Sequence, residues 1–379
     1  MAKKTNTNIN GTNYFRVTAT VGRNPNGSLI RKQFYGESKK EAEAKRDEYM
    51  TSIKQGLSAS FDKLTLNDAY HQWFESVHKP TLALSSVHRY NVDNRRILGS
   101  ALSSMKLIDV KALHIQRHYN ELLESGASVN MVKNVGKLLS PFFSYAVKSD
   151  LILKNPMFAV VPPRERKIEA NKRILSKDDI QKIVSHTKHN GSAFIFVFLL
   201  FSGLRQGEAL ALAHGDINMD SGIIRVNKSV NHLTVDGKYQ AVVSTTKTTG
   251  SSREIPLLCD LRSMLVEHMT AEKEKHQKLG IPFDGNSILF SSETGRYIEG
   301  KNLRIRFKRL LNRLKIEPIA VHSLRHTFCS VLAENGVNLK TASELMGHSD
   351  VNTTMRIYTH VQKEEKRRGI DTLSGLFAY

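Results

Sequence analysis

Cysteine is nearly missing from this chain. Two occur in 379 residues, Cys259 and Cys329, far apart and without the spacing of a ligand pair. That excludes a disulfide framework and a cysteine-built zinc site. Long apolar runs are missing too. The longest, Ala193 to Phe201, has nine residues, which suits a buried helix and is too short for a bilayer. The first residues, MAKKTNTNING, are basic and polar and hold no apolar signal-peptide core. No internal repeat or low-complexity tract is present. Acidic residues are outnumbered, 36 Asp and Glu against 56 Lys and Arg, for a net charge of +20. Nucleic acid is the first partner this charge implies, and an anionic membrane surface the second. Composition thus predicts a cytoplasmic protein facing DNA, with no membrane span.

Apolar residues make up 40% of the sequence, ample for ordinary cores, and the length implies two or three domains. Residues 1–57 read as a small unit. Tyr14 to Val21 is β-rich, Asn26-Gly27 marks a tight turn, and Leu29 to Tyr35 makes a second strand. Ser38 caps a helix over Lys39 to Gln55, with Glu41 at the capping-box position. Eleven Lys and Arg against five Asp and Glu suit a β-ribbon that sits in a DNA groove. A solvated basic hairpin is the plainer alternative.

Residues 58–160 read as helical. Thr65 and Asp68 form a capping box, after which Leu66, Ala69, Tyr70, Trp73, Phe74 and Val77 share a face until Pro80. A second helix starts near Ser85–Ser86 and runs towards Leu98. A third carries Ile115, Tyr119, Leu122 and Leu123 and ends at Gly126. Ser128 caps a fourth, with Val132, Val135, Leu139, Phe142, Phe143 and Ala146 inward. Aromatic stripes at this spacing are core rather than stacking platforms. Residues 161–174, with Pro162-Pro163 and a run of charges, read as a linker. A further domain over 175–361 opens with a helix capped by Ser176 and continues into the apolar helix that Gly203 ends. Three short strands follow, Gly222 to Asn227, Ala241 to Thr246 and Arg253 to Leu257. Helices come next near 260–279, 301–315, 323–335, 339–346 and 351–360, then a tail over 362–379. The fold class expected is mainly α with small β-sheets (α+β), its last domain mostly helical with a three-stranded sheet.

Four groups between His322 and Tyr358 have the chemistry to handle a phosphate diester. His322 and His348 exchange protons near neutral pH. Arg325 offers phosphate oxygens a planar fork. Tyr358, on a short expected helix, is either a packed aromatic or a nucleophile. A free phenol has a pKa of ~10, so attack needs a base or a cationic neighbourhood, for which Arg325 and His348 are candidates. Upstream, Arg205 follows a helix-ending glycine, with Glu208 three residues on. The two form a structural pair, or Glu208 aims Arg205 at a phosphate. Two arginines can stabilise charge on non-bridging oxygens without a metal. Lys247, in TTKTTG between two strands, decorates a hairpin tip or else protonates a leaving oxygen or holds a phosphate. His322 and His326 share a helical face, but no acidic residue occupies the HExxH position and no third ligand is evident. A metal pair is rejected, and His326 reads as a core histidine behind Arg325. Residues 338–360 also look like a helix-turn-helix, as a DNA-binding regulator without catalysis would have.

In order and context, these residues resemble the tyrosine recombinases, the lambda-integrase-like family. Arg205 stands in SGLRQGEALAL, Lys247 in TTKTTGSSREIPL, His322 and Arg325 in HSLRHTF, His348 in LMGH and Tyr358 in IYTH. The resemblance covers about 175–360. The domain before it resembles the family's helical core-binding domain more weakly. Residues 1–57 look like the arm-binding domain of integrases from temperate phages and conjugative transposons. Gln206 and His214 depart from the arginine box at variable positions. The resemblance implies an integrase that cuts and rejoins DNA through a 3′-phosphotyrosine, with no metal, cofactor or ATP. Tyr358 is then the nucleophile. Arg205 and Arg325 stabilise the transition state with help from His348, and Lys247 is the acid for the leaving 5′-oxygen. His322 assists proton transfer at the nucleophile, and Glu208 supports. Implied partners are double-stranded DNA with core and arm sites, a homo-tetramer on that DNA, and an excisionase or DNA-bending accessory protein. A resolvase-type recombinase or a type IB topoisomerase shares the chemistry, but neither accounts for residues 1–57.

Overall fold

The computed structural model describes residues 7–9, 12–23, 29–54, 63–164, 173–235, 237–245, 252–348, 350–352, 354, 355 and 358. The protein is mostly helical with small antiparallel sheets, and it divides into two compact units, 1–168 and 169–379. None of the described helices is long and apolar enough to cross a membrane.

The first unit begins with an antiparallel sheet of β1 (Thr7–Ile9), β2 (Thr12–Arg23) and β3 (Leu29–Gly36), in that order. The two longer strands are the expected hairpin, and β1 is an addition. The Asn26-Gly27 turn lies outside the described residues. Strand alternation sorts the side chains. Ala19, Val21, Ile30 and Phe34 meet Tyr49, Met50 and Ile53 of α1 (Lys39–Lys54). Arg16, Thr18, Thr20, Arg31 and Gln33 are exposed on the opposite face. Ser38 starts α1 as expected, its Oγ accepting from Glu41 N at 3.1 Å.

Four helices follow: α2 (Leu66–Trp73), α3 (Leu84–Leu98), α4 (Ala112–Glu124) and α5 (Val129–Lys148). Thr65 and Ser128 cap α2 and α5 through N–H bonds from Asp68 and Met131. The aromatic stripes form the core. The Tyr70 and Trp73 rings lie 5.2 Å and 5.6 Å from Phe142. Burying each such side chain contributes about 1.5–3 kcal/mol. Val77 departs from expectation and is exposed. A π-turn over Phe74–His78, then a 3-10 turn holding Pro80, breaks the 3.6-residue phase and swings Val77 off the buried face.

In the second unit, α6 (Lys177–His189) leads to α7 (Phe194–Ser202), which runs almost wholly buried through the core. After α8 (Gln206–Ala209) come β4 (Ile217–Asn218), β5 (Ile223–Val226), β6 (Lys228–Val235), β7 (Lys238–Thr245) and β8 (Arg253–Pro256). A three-stranded sheet is present, but with different membership from that expected. Its order is β4-β5-β8, while β7 pairs with β6 in a separate hairpin. The tight connection through Gly237, at φ 75°, makes sequence neighbours into partners. Helices α9 (Arg262–Leu279), α10 (Gly300–Arg313), α11 (Val321–Glu334) and α12 (Leu339–Met346) follow.

Candidate active site

Arg205 owes its place to a glycine. Gly203 caps α7 in the left-handed region at φ 63°, and a Cβ there would collide with the Phe328 ring of α11. No other residue combines that backbone with that approach. The chain then turns through extended Arg205 into α8, whose third residue is Glu208. The Glu208 carboxylate accepts the Arg205 backbone N–H at 2.9 Å and Arg205 Nη1 at 2.8 Å. The expected pair therefore forms, although Glu208 also holds a second guanidinium. Arg253 donates to it through Nη1 at 3.3 Å and Nη2 at 2.9 Å.

Helix α12 gathers the arginines. The last carbonyls of a helix lack intrahelical partners and carry the negative end of its dipole. Here three in succession each receive a different guanidinium. Arg253 Nε donates to Leu345 O at 2.8 Å, Arg325 Nη2 to Met346 O, and Arg205 Nη2 to Gly347 O at 2.8 Å. Arg325 also donates to Gly203 O at 2.6 Å, which joins the ends of α7 and α12. It is fully buried, and its Nε has no hydrogen-bond partner among the described residues.

Charge is out of balance here. Among the described residues, three guanidinium groups gather near one carboxylate, a surplus of two positive charges. Burial alone would raise the Glu208 carboxyl, but hydrogen bonds and charge from Arg253, then bonds from Arg205, hold it below the usual range. Burial, then the charge of Arg205, pushes Arg325 down to about 9, so it stays protonated at neutral pH. The surplus matches a phosphate diester, whose charge grows from one to about two in an addition transition state.

His348 follows Gly347. Burial, then Arg325 and Arg205, lowers it to about 4, so the ring is neutral at pH 7. Its Nδ1 lies 2.7 Å from Oγ1 of Thr354, a buried hydroxyl. With Thr354 donating, the ring proton sits on Nε2, from which it can be given to a phosphate oxygen. His322 is exposed on α11 and packs edge-on against His326, centroids 4.7 Å apart. His326, expected in the core, is half-buried.

Tyr358 is not with the arginines. Its ring is buried against Cys329, Ala333, Ala342 and Met346, and its hydroxyl donates to Val337 O at 3.0 Å. Val337 precedes α12 while the arginines sit at that helix's far end, roughly 12 Å away for eight residues. Attack at the arginine cluster requires Tyr358 to leave this contact. Lys247 lies outside the described residues.

Sequence reading missed Arg253 and Thr354. Arg253 had a signal. In β8 it shares a face with Ile255 and Leu257, both buried, so a charge occupies a core-facing position. Thr354 had none.

Residues 173–365 match the model of the phage integrase family. A tyrosine recombinase XerC-like protein of Caldanaerobacter subterraneus subsp. tengcongensis is 38% identical, with all of both chains covered. The ICEBs1 integrase of Bacillus subtilis is 26% identical over 96% of this chain and 97% of its own. Among solved structures, the Tn1549 transposon integrase in complex with transposon right end DNA superposes with TM-score 0.70 at 22% identity. That match covers 82% of this chain and all of the other. A lambda integrase dimer bound to a COC′ core site superposes at 0.57 and 15% identity, covering 89% and 91%.

Proposed function

The chain belongs to the phage integrase family and is a site-specific tyrosine recombinase, and we propose that the arginine cluster at the end of α12 is where it breaks and rejoins DNA. One observation carries this placement. Arg205, Arg253 and Arg325 converge on three successive carbonyls and, among the described residues, Glu208 is the one carboxylate paired with them, leaving charge for a scissile phosphate.

In this reading the Tyr358 oxygen attacks the scissile phosphorus. A 3′-phosphotyrosine forms as the bond to the 5′-oxygen breaks, and Lys247 supplies the proton to that oxygen. His322 assists removal of the phenolic proton. Arg205 and Arg325 hold the non-bridging oxygens, with His348 donating from Nε2, and Glu208 supports Arg205. A 5′-hydroxyl of the partner duplex then attacks the phosphotyrosine, restoring the diester and freeing Tyr358. Bond energy is kept throughout, so neither ATP nor a cofactor is needed. Integration and excision of a mobile element are the biological use.

The same proposal assigns residues 1–57 to arm sites, 58–160 to the core site, 175–361 to catalysis, and 362–379 to exchange between protomers. The exposed face of the first sheet, with Arg16 and Arg31, supports the arm assignment. The working form is a homo-tetramer on double-stranded DNA in the cytoplasm, helped by an excisionase or DNA-bending protein. A suicide duplex of the protein's own site tests the chemistry on a denaturing gel. The expected result is an EDTA-resistant protein–DNA adduct that disappears in Tyr358→Phe while binding persists. An adduct that survives Tyr358→Phe would remove the nucleophile from the scheme, and no adduct from the wild type would favour a regulator.

A further inference from the structure

We propose that Arg253 is a positioning residue for strand cleavage, one that keeps Arg205 aimed at the scissile phosphate. The inference rests on the recombinase reading and adds a residue to its machinery.

An arginine and a carboxylate left alone pair fork to fork, two parallel N–H groups of one guanidinium edge bonding one oxygen each. Arg205 and Glu208 do not. A carboxylate has about four acceptor positions, and all four are used here. Arg253 takes one on each oxygen, the Arg205 backbone N–H takes a third, and Arg205 Nη1 takes the last. Arg205 can thus spare only one nitrogen for Glu208, and its Nη2 is left on Gly347 O, beside Met346 O where Arg325 ends. Remove Arg253 and two buried acceptor positions empty. The Arg205 side chain, 38% exposed and able to rotate, would close on Glu208 and turn from the phosphate.

Charge leads to the same residue. The Arg253 side chain is 7% exposed and Glu208 4%, so these two neutralise each other in a poorly solvated place. That leaves Arg205 and Arg325 uncompensated. Without Arg253, Glu208 would cancel Arg205. Arg253 Nε also bonds Leu345 O, so one side chain ties β8, α8 and the end of α12 into a single setting. A structural role alone is served as well by an apolar residue in line with Ile255 and Leu257.

The test uses the full chain on a suicide duplex whose scissile 5′-oxygen is replaced by sulfur, a better leaving group that keeps slow variants measurable. Wild type and Tyr358→Phe are run first. Failure of the wild type to form adduct, or its persistence in Tyr358→Phe, indicts the recombinase reading rather than Arg253. Arg253→Met is then expected to slow single-turnover adduct formation at saturating DNA roughly 10²-fold, the scale of a misplaced catalytic group. DNA affinity should stay within a few-fold. Arg253→Lys, which keeps the charge and loses the fork, should fall between. The deciding measurement repeats Arg253→Met in an Arg205→Ala background, where the loss should largely vanish because Arg253 acts through Arg205. An equal loss with and without Arg205 overturns the proposal. So does a wild-type rate in Arg253→Met. Should Arg253→Met not fold, Arg253→Lys is read the same way, and failure of both to fold makes the residue structural.

Discussion

Gly347 leaves room for Arg253. A Cβ on Gly347 would lie 2.9 Å from Arg253 Nη1 and 3.0 Å from its Cδ, and the glycine sits at φ 60°. The motif LMGH therefore needs glycine for two reasons, the left-handed cap of α12 and the close pass of a guanidinium. Gly347→Ala is expected to lower stability by about 1–2 kcal/mol from backbone strain alone. Displacing Arg253 should also slow cleavage more than it weakens DNA binding. Thermal melts and single-turnover rates check both, and an unchanged rate with an intact melt would mean that Arg253 tolerates the methyl.

Arg325 joins the ends of α7 and α12 through Gly203 O and Met346 O, and among the described residues no other cation bonds both. Lysine has one point charge for two carbonyls and a phosphate. Arg325→Lys should reduce adduct formation by roughly 10²-fold or more, the usual scale for losing a transition-state donor. Saturating single-turnover assays measure it, and a loss under tenfold would show that the fork is dispensable.

Which residues would gather at the site was more legible in the sequence than how they are arranged there. Arg205, Glu208, Arg325 and His348 stand in short motifs whose residue types declare their chemistry, and the structure brings them together. Local signals also located the helices, since Ser38, Thr65, Ser128 and Ser176 each cap where a cap was expected. Sheet membership was not legible. Strand β6 has apolar Val230 and Leu233 out of alternation, so its pairing with β7 rests on the turn at Gly237. Alternation with Ile255 and Leu257 marked Arg253 as a charge on a buried face, but its partners, Glu208 and Leu345, lie 45 and 92 positions away, so the local pattern did not say what it meets.

His348 should respond to acid in a defined direction. Its folded-state pKa, about 4, lies below the usual 6.5 because of burial, then the charges of Arg325, Arg205, His322 and His326. Between those values the unfolded chain binds a proton that the folded chain does not, so stability rises with pH across this window. The contribution is complete above pH 6.5 and is lost as pH falls towards 4. His348→Gln should flatten that part of the stability curve. A bound phosphate offsets the arginine charges and should raise the His348 titration, as NMR of the ring protons with and without duplex would reveal. A ring titrating near 6.5 in the free protein would contradict the electrostatics.

The outward face of the first sheet carries its own prediction. Arg16 and Arg31 are exposed on adjacent strands, clear of the Phe34–Tyr49 core. Arg16→Ala with Arg31→Ala should weaken binding to outlying arm-type sites and lower the salt-dependence slope there by about two. Cleavage of an isolated core duplex should be unaffected. Equal affinity for arm-type DNA before and after the change would take this face out of the DNA contact.

Under the proposed scheme Tyr358 has to leave Val337 O before it attacks, and Cys329 can report that movement. The thiol is fully buried against Tyr358, Ala342 and Met346, and burial pushes it up to about 11, so it is both shielded and protonated at neutral pH. Cys259 is exposed and would mask the signal, so the experiment uses Cys259→Ser. In the free protein, Cys329 should react slowly with a thiol reagent. If Tyr358 leaves Val337 O to reach a phosphate at the far end of α12, it vacates one wall of the Cys329 pocket. Labelling should then speed up by roughly tenfold or more on adding the specific duplex, as local opening makes a buried group accessible. A duplex without the site should leave labelling slow. Adduct formation with Cys329 still shielded would mean that Tyr358 reaches the phosphate while this cluster stays closed, and the Val337 contact would then lie off the reaction path.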